Sequence, residues 1–214
     1  KYYKDLNLRI PRDEMDQWND TLSKITQTVT QTIKSNSKTK TKLINMELVG
    51  SYRRGHTDSG DVDFCISVSK ISPLLMNSII SSLIAIGITS EDNIISKGNK
   101  KSMLIGKITS ESIFRHIDIF IFSKEEYPFA LMFSTGSADF NIRLRNYALS
   151  YGWSLSDKGF KKNNSKGENP TQEEIVLKIN KLNIETEEDI FHFLNLKYIS
   201  PENRFPNAQL EIYS

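Results

Sequence analysis

The stretch Asp61-Val62-Asp63-Phe64-Cys65-Ile66-Ser67-Val68 constrains this chain more than any other. It is apolar enough for a buried strand, yet two carboxylates stand at its entrance. Side chains alternate with a period of two along a strand, so Asp61 and Asp63 are expected on one face. Carboxylates sharing a face repel each other unless a cation compensates them, and divalent magnesium is the usual compensator. Asp118 repeats the anomaly within His116-Ile117-Asp118-Ile119-Phe120-Ile121. An acid set among isoleucines needs a partner as much as the pair does. Three such acids form a candidate two-metal site for phosphoryl or nucleotidyl transfer. Gly50-Ser51 and Arg53-Arg54 precede the pair closely. Gly50 permits close backbone approach, Ser51 offers a hydroxyl and an N–H to a phosphate oxygen, and Arg54 offers a bidentate contact.

The rest of the composition fits an ordinary globular chain. Its 214 residues are 38% hydrophobic and 25% charged, enough for one large domain or two small subdomains. A net charge of +2 gives no global electrostatic signature, so any nucleic-acid contact has to come from a local basic stripe. Cys65 is the only cysteine, which excludes an intramolecular disulfide and suits a reducing, intracellular compartment such as the nucleus, the cytoplasm or a virion. The longest apolar run, 74–88, is broken by Asn77, Ser78, Ser81 and Ser82, so no membrane partner is expected. No signal peptide is visible, and a chain starting at Lys1 suggests a fragment or processed product.

Periodicity predicts a long helix after Pro11, with Met15, Trp18, Leu22, Ile25, Val29 and Ile33 on one stripe. Residues 34–42 read as a loop, 43–49 as a strand and 61–68 as a second strand. Residues 73–86 form an amphipathic helix, followed by strands near 93–96, 102–108 and 116–122. The first part is thus an α+β arrangement, a mixed sheet with packed helices. After residue 124 the pattern predicts helices at 130–133 and 140–151, interrupted at Gly136-Ser137. A strand at 153–160, a polar loop at 161–170 and a helix at 186–196 complete it. Residues 173–182 fit strand and helix equally.

Taken in order, Gly50-Ser51-Tyr52-Arg53-Arg54-Gly55, Ser59-Gly60-Asp61-Val62-Asp63, Ile117-Asp118-Ile119 and Thr135-Gly136-Ser137 resemble the signature blocks of the family X DNA polymerases. The segments 9–15 and 188–204 are similar to the two ends of that family's catalytic region, so the resemblance covers nearly the whole chain. It implies a nucleotidyltransferase palm over 1–124 and a smaller α/β subdomain over 125–214 that binds the nascent base pair. It implies that Asp61, Asp63 and Asp118 hold two magnesium ions, with manganese as a substitute. Arg9, Gly50, Ser51, Arg54, Ser59, Gly60, Phe133, Gly136, Ser137 and Asn141 fall on nucleotide-binding positions. Lys97, Lys101, His116 and Arg145 fall on DNA-facing positions. The implied partners are a dNTP and primer–template or gapped DNA, the implied state is a monomer, and the implied role is gap filling in repair.

Two positions depart from the family pattern. The sugar-facing pair reads Phe133-Ser134, which leaves discrimination between dNTP and NTP open, and His116 replaces an arginine often found before the third acid. Two rival readings follow: template-independent addition of DNA or RNA nucleotides to a 3′ end, and a catalytically silent DNA-binding module. Helix-hairpin-helix loops rely on closely spaced glycines, and no Gly-x-Gly occurs here; the expectation is a truncated or minimal form.

Overall fold

The computed structural model of the chain describes residues 1–36, 41–162 and 183–213. The undecided segment 173–182, most of the 161–170 loop and the centre of the 34–42 loop lie outside them. The chain divides into two compact units, Lys1–Lys124 and Glu125–Ser214.

The first unit opens with α1 (Tyr3–Leu6) and β1 (Ile10–Pro11), then the long helix α2 (Arg12–Asn36). Asp13 and Glu14 in its first turn and Lys34 in its last complement the helix dipole. Met15, Trp18 and Leu22 on its apolar stripe are almost fully buried, each contributing roughly 1.5–3 kcal/mol relative to exposure. After β2 (Leu43–Leu48) come the short α3 (Gly50–Arg53), β3 (Asp58–Ser59), β4 (Val62–Val68) and α4 (Pro73–Ala85). Ser72 caps α4 by accepting a hydrogen bond from the Leu74 N–H at 3.3 Å, and Pro73 fills the first helical position. The strands β5 (Ile94–Lys97), β6 (Lys101–Gly106) and β7 (Arg115–Ser123) complete a mixed five-stranded sheet in the order β2-β4-β7-β6-β5. The α+β reading therefore holds for this unit. Its central strands β4 and β7 run parallel, and that register sets Asp63 directly beside Asp118. Leu75, Ile79 and Leu83 of α4 join the α2 stripe and the apolar residues of β4 and β7 in one core.

The second unit begins with α5 (Tyr127–Thr135) and α6 (Ala138–Ser150). Gly136, at φ +70°, ends α5 in a conformation that favours glycine. Ser137 then caps α6 by accepting from the Phe140 N–H at 3.4 Å. The single strand expected over 153–160 is instead a hairpin, β8 (Trp153–Ser156) and β9 (Gly159–Lys162). Its turn, Asp157-Lys158, interrupts a stretch whose apolar spacing at Trp153, Leu155 and Phe160 suggests one strand. The Ser156 hydroxyl holds the turn, accepting from the Lys158 N–H and donating to the Gly159 carbonyl, both at 3.2 Å. The helix α7 (Glu187–Phe193) starts on a reciprocal capping box between Thr186 and Asp189. Phe140, Trp153, Phe160, Phe191 and Phe193 dominate this unit's core. Arg204 lies within it, donating to Glu187 at 2.7 Å and to the Ile199 carbonyl at 3.0 Å.

Candidate active site

In the first unit the acids gather at the start of the two central strands. Asp118 sits within β7 at 7% exposure, while Asp63 is partly buried. Asp61 is exposed and precedes β4, so strand alternation alone does not fix its direction. Its charge nevertheless reaches the cluster. Burial first, then repulsion from Asp61 and Asp118, pushes the Asp63 carboxyl up to about 7. Lys101 opposes that rise. The Lys101 ammonium lies 3.0 Å from Asp118 Oδ2 and over the Phe120 ring. His116 Nδ1 stands 3.6 Å from Asp118 Oδ1, a pairing that needs a protonated imidazole. Asp118 Oδ1 itself is buried and has no hydrogen-bond partner.

A cradle of small residues and basic groups adjoins these acids. Gly50 has φ +62°, and a Cβ there would stand 3.4 Å from Asp63 Oδ2, so the loop passes close over the acid. The Ser51 hydroxyl donates to that of Ser59 at 3.0 Å. β1 pairs with β3, setting Ile10 opposite Ser59 and carrying Arg9 to the edge of the cradle. The Arg9 guanidinium bonds Asp58 Oδ1 at 2.7 Å and lies over Gly60, where a Cβ would meet Nη1 at 3.2 Å. Arg54 is partly buried at the end of α3. Arg9, Gly50, Ser51, Ser59 and Gly60 are thus linked in one cradle, with Gly50 against Asp63.

Several positioning groups were not foreseen from the sequence. Arg12 donates to the carbonyls of Tyr52 and His56 at 3.1 and 3.0 Å and stacks on the Tyr52 ring. The Tyr52 hydroxyl donates to Asp16 at 2.6 Å. Burial, followed by that carboxylate, raises the phenol to about 12. These contacts strap the cradle to α2. Glu14 receives Arg115 through two bonds of 2.8 and 2.6 Å, anchoring the first strand position of β7. Glu14 and Arg115 are too far apart in sequence for any local pattern to reveal the pair. The resemblance implies only a DNA-facing role for Lys101. Its pairing with Asp118 follows from the antiparallel β6–β7 register, in which Lys101 sits opposite Phe120. Lys97 is exposed on β5, next to a turn in which the Gly98 N–H bonds the Ser102 hydroxyl.

The second unit holds the remaining candidates near the α5–α6 junction. The Asn141 side-chain amide donates to the Phe133 carbonyl at 2.7 Å, while its own buried Oδ1 has no hydrogen-bond partner. Arg145, exposed one turn further along α6, lies 5.6 Å over the Phe133 ring. The Ser137 hydroxyl donates to the Arg204 carbonyl at 3.1 Å and so ties the glycine-serine junction to that unit's core.

A mixed sheet with acids at the start of two parallel central strands, beside a glycine-serine cradle, defines a nucleotidyltransferase-like palm. Residues 9–124 match the DNA polymerase beta palm and residues 130–205 the DNA polymerase beta thumb. The chain belongs to the DNA polymerase beta family, the family X polymerases. It is also similar to DNA polymerase lambda of Arabidopsis thaliana, at 26% identity over 95% of this chain and 38% of that protein. DNA polymerase lambda of Rattus norvegicus is 26% identical over 95% of this chain and 34% of its own length. The chain therefore spans little more than a third of these relatives. Among the described residues no helix is long and apolar enough to cross a membrane.

Proposed function

We propose that this chain is the catalytic region of a DNA polymerase that adds a dNMP to a primer 3′-hydroxyl, filling short gaps in DNA during repair. The observation that carries this reading is the parallel β4–β7 register, which pairs Asp63 with Asp118 beside the Gly50-Ser51 cradle. Among the described residues no three acid, histidine or cysteine side chains stand as a ready-made metal cage. The chemistry of the donor set still fits hard divalent cations: clustered carboxylates with one buried, unpartnered oxygen at Asp118. Asp61, Asp63 and Asp118 would hold two magnesium or manganese ions. Bound there, such ions supply the Lewis acidity that activates a 3′-hydroxyl and neutralises departing pyrophosphate.

The chain's own groups divide the remaining work. Asp118, the most buried of the three, faces the primer end in this reading, and the 3′-hydroxyl attacks the α-phosphate in line. Ser51, Ser59 and Gly60 line the triphosphate, with Arg9 and Arg54 supplying its counter-charge. Asp58 already orients the Arg9 guanidinium through its 2.7 Å bond. In the second unit Phe133, Gly136 and Ser137 receive the sugar, Asn141 the base, and Arg145 the template strand. Asn141 supports this with an unpartnered amide oxygen, an acceptor held in place by the bond to the Phe133 carbonyl. Lys97 and His116 contribute to the DNA-facing side.

The test is primer extension on a one-nucleotide gap, with and without a templating base, offering dNTPs and NTPs separately. Templated addition of one dNMP is expected, with magnesium required. Equal addition without a template points to a terminal transferase. No addition at high enzyme concentration and low salt, where phosphate contacts are strongest, leaves only the DNA-binding role.

A further inference from the structure

The acid cluster carries its own counter-ion, and that ion occupies an oxygen a metal needs. Asp118 has two carboxylate oxygens in unlike surroundings. Oδ2 is paired with Lys101 at 3.0 Å, while Oδ1 is buried, lacks a hydrogen-bond partner and stands 3.6 Å from His116 Nδ1. Lys101 is not locked in place. Its side chain is 47% exposed, against 11% for Asp118, and it lies at the first position of β6. The Phe120 ring beneath its ammonium, at 4.8 Å, is an uncharged second partner that a half-exposed lysine can keep when it gives up a carboxylate. A half-exposed lysine thus satisfies the most buried acid of a cluster that has three carboxylates.

We propose that Lys101 is an exchangeable internal counter-ion: it balances Asp118 before metal arrives and must leave Asp118 Oδ2 when a divalent cation takes that carboxylate. This rests on the assignment of Asp61, Asp63 and Asp118 as metal ligands. Lys101 and the cation then compete for one carboxylate, and their like charges repel at short range. Removing the ammonium weakens the metal-free cluster and favours the metal-bound one. Once displaced, the ammonium stays tethered beside the site, where a nucleic-acid phosphate is the natural next partner. Metal loading and DNA binding therefore become linked through one side chain, and such linkage is reciprocal.

The experiment titrates manganese into the DNA-free protein and follows free ion by electron paramagnetic resonance, comparing wild type with Lys101→Met, Lys101→Arg and Asp63→Asn. Lys101→Met keeps the apolar stem and is expected to bind manganese about three- to tenfold more tightly, the scale of one lost repulsive charge near a surface. Lys101→Arg keeps the charge and should stay within twofold of wild type. Thermal unfolding in chelator provides a second readout: Lys101→Met should lower Tm in the wild-type background, and Asp118→Asn should remove most of that loss. Unchanged or weaker manganese binding by Lys101→Met overturns the proposal, as does a Tm loss unaffected by Asp118→Asn. If wild type and Asp63→Asn bind manganese equally poorly, the metal-site assignment fails instead, a distinct outcome.

Discussion

Glu187 and Arg204 in the second unit, and Asp63 and Asp118 in the first, are charged groups taken out of water under opposite terms. Arg204 and Glu187 have side chains 0% and 4% exposed and meet at 2.7 Å. The guanidinium also donates to the Ile199 carbonyl and is enclosed by the rings of Phe140, Phe191 and Tyr198. Each charge finds its complement inside the fold. At the acid cluster, three carboxylates face one half-exposed lysine and a histidine, and Asp63 is driven up to about 7. Compensated buried charge builds structure; under-compensated charge marks a place prepared for something brought from outside.

Breaking each cluster should therefore have opposite effects on stability. Arg204→Leu removes the guanidinium paired with the buried Glu187 carboxylate and is expected to cost about 3–5 kcal/mol. Urea unfolding checks this, and adding Glu187→Leu should recover much of the loss. Asp63→Asn is expected to stabilise the metal-free protein at pH 8 by on the order of 2 kcal/mol. The sign follows from proton binding. With its folded value raised to about 7 from 3.8, Asp63 holds a proton in the folded state that the unfolded state has released. Its contribution is most favourable below the unfolded value, falls as pH rises towards 7, and is flat above it. Denaturation in chelator between pH 4 and 8 should show wild type losing stability relative to Asp63→Asn across that window. A relative gain would contradict the clustering.

Two smaller perturbations distinguish the cradle from the second unit's scaffold. Tyr52→Phe removes the bond to Asp16 and is expected to cost about 1.5 kcal/mol. It should also raise the half-saturating dNTP concentration, because the strap on Gly50-Ser51 loosens. Thr186→Ala opens the α7 capping box at a cost of about 1 kcal/mol, and should leave nucleotide saturation unchanged. Paired unfolding and steady-state measurements read both.

How much of this was legible beforehand depended on the range of the interaction. The α2 stripe, the acid-bearing strands and the Gly136-Ser137 break are local patterns, and each lies where periodicity and turn chemistry put it. The β8–β9 hairpin was missed because apolar spacing outweighed the Asp157-Lys158-Gly159 turn. The Asp63–Asp118 pairing needed a parallel register; the sequence supplied the shared oddity of acids in apolar strands and a family resemblance that groups them, but not the register. Lys101–Asp118, Arg115–Glu14 and Tyr52–Asp16 had no signal at all, since each joins elements that meet only in the folded chain. In sequence Arg204 is only the last residue of a terminal block, and burial gives it a structural reason to be there.

The central claim is that Asp118 and its neighbours perform nucleotidyl transfer. Single-turnover incorporation of one dNMP into gapped DNA, with magnesium and excess enzyme, tests it most directly for wild type against Asp118→Ala. Wild type should extend the primer, and the variant should fall by roughly three orders of magnitude, as when a charge-stabilising group is lost from a reacting centre, with its unfolding transition intact. Extension by folded Asp118→Ala at the wild-type rate would contradict the claim.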